Sequence, residues 1–357
     1  MSQKFTVVHS PVFYNEDINN FAVLNALDVN QSQVKFVEIT NRHVIQAYDV
    51  RPYEHVQQHS LFNLINQKFH VDTKVGGCNG AFEKIFGSVL LSRLYPQNFA
   101  GRAGIKHSRG MLIYGPPGTG KTLIARTICE ILGVKPKIVN GPEVFSSMSG
   151  ESEAKIRELF REAEIDEQSF GTNSNLHIII FDEIDALCKR RSTVDSGTRD
   201  AVQDSITTQL LTKIDGVSQL NNFLIIGTTN MKDSIEPALT RPGRLEQMIE
   251  IDLPDSEGRL KIYDIYTILM LQNGILDDDI EIDRIISETN GLTGAHIEQV
   301  VRTATNNAIR RDILARGTFE IDEYSAQELR VKNIDFINAL VTLRTLPEGF
   351  YKNHLEN

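Results

Sequence analysis

The chain of 357 residues is poor in cysteine, has no long apolar run and carries no excess of basic charge. Its three thiols are Cys78, Cys129 and Cys188, and none stands in a C-x-x-C. So sparse and odd a set excludes a disulfide framework or a zinc knuckle, and reads as packing thiols in a reducing, cytoplasmic setting. No uninterrupted apolar stretch approaches the roughly 18 residues of a membrane span. The opening MSQKFTVVHSPVFYNED lacks the charged and apolar blocks of a secretory signal. Asp+Glu number 47 against 37 Lys+Arg, a net charge of −10, which argues against nucleic acid as the main partner. His55 and His59 stand four apart, but Val56 follows His55 where H-E-x-x-H needs glutamate, so they read as solvated. G-x-S-x-G is absent as well.

What remains suits a soluble globular protein, with 41% apolar and 24% charged residues. Residues 1–75 hold no glycine and contain alternating runs such as Val34–Ile39, the pattern of a short β-containing N-terminal region. After Gly76-Gly77 the apolar positions of 81–94 fall on one helical face. Strands are expected at Met111–Tyr114, Lys137–Val139, Leu176–Asp182, Phe223–Thr229 and Met248–Asp252. Helices are expected at Lys121–Leu132, Ser152–Ile165 and Ala201–Ile214. Such alternation predicts an α/β domain over 76–254, a mainly parallel sheet covered on both faces. Four amphipathic stretches, 256–272, 280–289, 294–311 and 333–344, then predict a small all-helical domain over 255–345, with 346–357 as a tail.

Chemistry concentrates at the strand ends. Gly115-Pro116-Pro117-Gly118-Thr119-Gly120-Lys121-Thr122 matches G-x-x-x-x-G-K-[ST] between an expected strand and helix. Bare glycines let backbone amides approach phosphate oxygens at the helix N-terminus. Lys121 is then placed for the β- and γ-phosphates of ATP, and Thr122 for Mg²⁺. Ile178–Phe181 delivers Asp182, a second metal group, and Glu183, placed to deprotonate the attacking water. Asn230, ending Ile225–Asn230, can bond the γ-phosphate or that water. Arg241 and Arg244, fixed in Arg-Pro-Gly-Arg, suit a cationic finger supplied to a neighbouring subunit.

Taken together, GPPGTGKT, IIIFDEID, TTN and RPGR resemble the AAA ATPase module, the P-loop fold with a helical lid, over about residues 74–345. The nearer resemblance is to the first ATPase cassette of the vesicle-fusing ATPases, the N-ethylmaleimide-sensitive fusion protein family. It is carried by Val139–Glu143, Gly150–Glu153, Leu176–Ala186, Lys213–Val217 and Gln219–Asn222. The resemblance implies ATP hydrolysis with Mg²⁺, and homo-hexameric rings in which arginines complete a neighbour's site. It places Leu123, Gly77, Gly294 and Ala295 beside the nucleotide. It also implies disassembly of SNARE complexes through the adaptor SNAP, with membranes met only through partners. Other AAA unfoldases, microtubule-severing ATPases and a non-hydrolysing ATP-binding regulator of partner rings share enough of these motifs to stay open.

The sequence departs from the family at several points. Thr119 stands where many members carry cysteine. Ser147-Met148-Ser149-Gly150 replaces an aromatic pore loop, and Tyr266 stands where related lids often place histidine. No second phosphate loop follows residue 345, so a fragment, an incomplete reading of the gene and a reduced paralogue are all expected possibilities. Lys189-Arg190-Arg191 reads as a solvated or inter-subunit basic turn, and Ser192–Asp200 as a pore-facing loop.

Overall fold

The computed structural model describes residues 66, 68–71, 74–94, 107–145, 151–171, 174–190, 198–216, 222–320 and 326–345, together with five N-terminal strands. His55, His59, Met148, Arg191 and most of the expected second pore loop lie outside the described residues.

Contacts divide the chain into two units, Met1–Ser60 and Leu61–Asn357. In the first, β1 (Phe5–Val7) pairs antiparallel with β5 (Val50–Pro52). A separate antiparallel sheet runs β2 (Asn25–Ala26), β3 (Phe36–Ile39), β4 (His43–Gln46). The expected boundary at residue 75 falls inside the second unit, because Val71 and Val75 are buried in one core with Phe82 and Ile251.

The second unit is organised on a five-stranded sheet. Its strands are β6 (Gly110–Tyr114), β7 (Lys137–Asn140), β8 (His177–Asp182), β9 (Phe223–Thr229) and β10 (Gln247–Glu250). They lie in the order β10-β6-β9-β8-β7, and every pairing is parallel. Alternate side chains of each strand serve opposite faces. Ile178, Ile180, Leu224 and Ile226 join one core with α1 (Asn79–Ile85) and α2 (Lys121–Leu132). After β7 comes α3 (Gly141–Phe145); Ile179, Phe181, Phe223 and Ile225 join the other core, covered by α4 (Glu151–Phe170), α5 (Ile184–Leu187) and α6 (Thr198–Gly216). Phe160 of α4 meets Phe223 edge-on, centroids 6.0 Å apart. Burial on both faces explains why β8 and β9 read as unbroken apolar runs.

Local differences from expectation are few. α1 continues through a π-helical stretch, Phe86–Leu90, into Leu91–Leu94. β10 ends at Glu250 rather than Asp252, and α4 and α6 extend beyond the expected ends. α2 stops at Gly133 as expected, with φ +66° and its N–H bonded to Glu130 O.

The C-terminal helices are α7 (Ser256–Gln272), α8 (Ile282–Glu288), α9 (Gly294–Arg316) and α10 (Asn333–Arg344). They enclose a third core around Tyr263, Val300, Ala304, Phe336 and Leu340. No helix among the described residues is long and apolar enough to cross a membrane.

Candidate active site

The loop from Gly115 to Gly120 leaves the C-terminal end of β6 and enters α2, and β8 and β9 end beside it. Ligands bind at such carboxyl ends in open parallel sheets. A cavity of about 400 Å³ lies between these strand ends and the helical part. The run from Pro117 through Gly118, Thr119, Gly120, Lys121 and Thr122 to Leu123 lines it, joined by Asp182, Glu183 and Asn230. The sequence-predicted acid, base and lysine thus face one space. Gly115 and Pro116 stand behind that lining and act through their carbonyls.

Lys121 is buried and its ammonium donates to Gly115 O at 3.0 Å and Pro116 O at 2.6 Å. Burial pushes its pKa down to about 8, against the opposing pull of Asp182 and Asp185. A cation held this way gains most from an arriving polyanion. Thr122 donates to both Asp182 oxygens, at 2.9 and 3.1 Å, so a hydroxyl and a carboxylate already converge. Among the described residues there is no group of three or more His, Cys, Asp or Glu that could hold a metal ion. One carboxylate plus one hydroxyl fits Mg²⁺, which keeps several waters and is shared with substrate phosphates.

Glu183 follows β8 with φ +53°, the left-handed region. For a residue with a Cβ this costs roughly 1–2 kcal/mol, which the surroundings must hold in place. Gly141 makes room for it, because a Cβ there would lie 2.4 Å from Glu183 O. On the other side the Glu183 N–H donates to Thr228 Oγ1 at 3.4 Å.

The helical part closes over the loop. Ala295 N–H donates to Gly118 O at 3.1 Å, and a Cβ on Gly118, whose φ is +76°, would lie 2.7 Å from Thr293 Oγ1. Gly294 and Ala295 line the cavity. Gly77 does not; it packs against Gly258, and its neighbour Gly76 faces the cavity instead. Ile262, Ile265, Tyr266 and Glu298 also line it, and Tyr266 Oη donates to Glu298 Oε2 at 3.1 Å. Helical periodicity marked Ile262, Ile265 and Glu298 as amphipathic but carried no signal for which face meets a ligand; Tyr266 alone was pointed to by the resemblance.

Among the described residues, the lining includes neither Arg241 nor Arg244. Arg241 is exposed. Arg244 is half-buried and forks onto Asp215, at 2.8 and 2.6 Å, which holds the Asp215 carboxyl below its usual range. Asp215 belongs to the Lys213–Val217 stretch that carried the family resemblance. Cys78, Cys129 and Cys188 are free and buried, and burial pushes their thiols up to about 11, 12 and 12, as packing thiols require.

Fold and site together define a class. Residues 111–253 match the family model "ATPase family associated with various cellular activities (AAA)", and it is to this class that the sheet-bearing part of the chain is similar. Within that class the chain is close to the cassette of the vesicle-fusing ATPases. It is 46% identical over 271 residues to the vesicular-fusion protein SEC18 of Saccharomyces cerevisiae, covering 75% of this chain and 36% of that protein. To the vesicle-fusing ATPase of Arabidopsis thaliana it is 48% identical over 268 residues, covering 74% and 35%. Protein SAV of Sulfolobus acidocaldarius is 38% identical over 275 residues, covering 76% and 33%. The chain spans about a third of the length of these relatives.

Proposed function

We propose that this chain hydrolyses ATP with Mg²⁺ and uses the cycle to take SNARE complexes apart through the adaptor SNAP, in the cytoplasm and as part of a homo-hexamer. The observation that carries the reading is the convergence of Lys121, Thr122, Asp182, Glu183 and Asn230 on one cavity roofed by the helical part. The sheet portion, 76–254, would act as the ATPase domain and 255–345 as its lid.

Lys121 would trade its two carbonyl partners for phosphate oxygens. Thr122 and Asp182 would hold Mg²⁺, which when bound screens the phosphate charge. Glu183 takes a proton from the attacking water, whose oxygen bonds the γ-phosphorus as the bridge to the β-phosphate breaks. Asn230 orients that water or the γ-phosphate. Arg241 would reach the site of the next subunit, with Arg244 anchoring the turn through Asp215. Because Ala295 is bonded to Gly118, loss of the γ-phosphate is felt at the start of α9.

The test is Glu183→Gln. Phosphate release should fall by about 10²-fold or more, the range for a general base, while a fluorescent ATP analogue still binds. Unchanged turnover would refute the hydrolytic assignment. Capture of assembled SNAREs with SNAP tests the substrate separately.

A further inference from the structure

Asp182 and Glu183 must keep their places while the groups around them change partners. Thr122 bonds Asp182 through a hydroxyl whose oxygen would also be offered to the metal in the proposed cycle, so its hold on Asp182 is tied to that metal. Thr228 is differently situated. It lies within β9 at 1% exposure, opposite the end of β8. The register, with Ile180 beside Ile226 and Phe181 beside Gly227, brings the next pair, Asp182 and Thr228, side by side.

The Thr228 hydroxyl works in two directions. It donates to Asp182 Oδ1 and accepts from the Glu183 N–H. One oxygen therefore joins the carboxylate of the first acid to the main chain of the second. That main chain is the left-handed peptide whose carbonyl side is bracketed by Gly141. Thr229 repeats the device one residue on. Its hydroxyl donates to Asp185 Oδ1 at 2.6 Å and accepts from Met231 N–H at 2.9 Å, steadying the turn that carries Asn230.

We infer that Thr228 is a positioning residue that holds Asp182 and Glu183 in working relation independently of Thr122. The inference rests on the ATP-hydrolysing reading of the site. A threonine that merely fills space would need only its shape, whereas a positioning hydroxyl needs its oxygen.

Valine keeps the shape and removes the oxygen; serine keeps the oxygen and removes the methyl. The purified 357-residue chain, its Thr228→Val and its Thr228→Ser variants are compared by binding of a fluorescent ATP analogue in EDTA and in Mg²⁺, and by phosphate release. In EDTA all three should bind within about twofold of each other, because Lys121 and the loop are untouched. Thr228→Val should lose most of the gain in affinity that Mg²⁺ brings and at least tenfold in turnover; Thr228→Ser should recover both. A valine variant with wild-type Mg²⁺ gain and turnover overturns the inference, as does a serine variant as impaired as valine. Should valine fail to fold, judged by circular dichroism, Thr228→Ala takes its place with the same two outcomes. A wild type that neither gains affinity with Mg²⁺ nor releases phosphate defeats the ATPase reading itself, a result distinct from either.

Discussion

The wall of the cavity built on the sheet and the wall built by the helices hold the site by different means. On the sheet side the polar groups are fixed by hydrogen bonds among themselves: Lys121 to Gly115 and Pro116, Thr122 and Thr228 to Asp182, Thr229 to Asp185. On the helical side the contribution is largely shape, from Ile262, Ile265 and Ala295, with Tyr266 and Glu298 bonded to each other. The sheet side is pre-organised for charge. The helical side is a packed body positioned by its own core, by Gly76 and Gly77 packing against α7, and by a main-chain bond to the loop. Damage to the two walls should therefore look different.

The largest expected effect sharpens this contrast. Phe336 packs against Tyr263, centroids 5.8 Å apart, in the core of the helical part. Phe336→Ala should cost about 3–5 kcal/mol there. Unfolding by urea should show an early transition, followed by hydrogen exchange confined to 256–344, while the sheet keeps its protection. A single transition encompassing both parts would break the comparison.

Next comes the seam. Gly118→Ala forces an alanine to φ +76° and sets a methyl against Thr293 and Ala295. A cost of about 1–2 kcal/mol is expected. Nucleotide affinity should fall roughly tenfold, by the conversion of about 1.4 kcal/mol per decade. Calorimetric titration checks it, and wild-type affinity would show that the seam is looser than its distances imply.

The last effect, of similar size but spread over two pH units, belongs to the sheet side alone. Lys121 has a pKa near 8 before ligand arrives, and a bound polyphosphate favours its charged form. Affinity is then fully present below pH 8 and declines as pH rises past it, by about tenfold between pH 7 and 9 if the bound ammonium stays protonated. A flat profile over that range, followed by calorimetry, would mean that Lys121 is not the titrating contact.

How much of this was readable beforehand also follows the division. The phosphate loop, Asp182, Glu183 and Asn230 were legible because their chemistry is written in contiguous residues at strand ends. The Thr228 anchor was not, although Thr228-Thr229 was in plain view, because its partner depends on the register between β8 and β9. Gly76 rather than Gly77 faces the cavity, a one-residue difference that the sequence does not show. The π-helical stretch at Phe86–Leu90 left no mark in the apolar pattern, since its buried residues suit an ordinary helix equally well.

The bond from Ala295 N–H to Gly118 O joins two peptide groups. No exchange of side chain at 295 can delete it except proline, which has no N–H to give. A changed outer surface on α7 to α10 would therefore leave this peptide-to-peptide link in place.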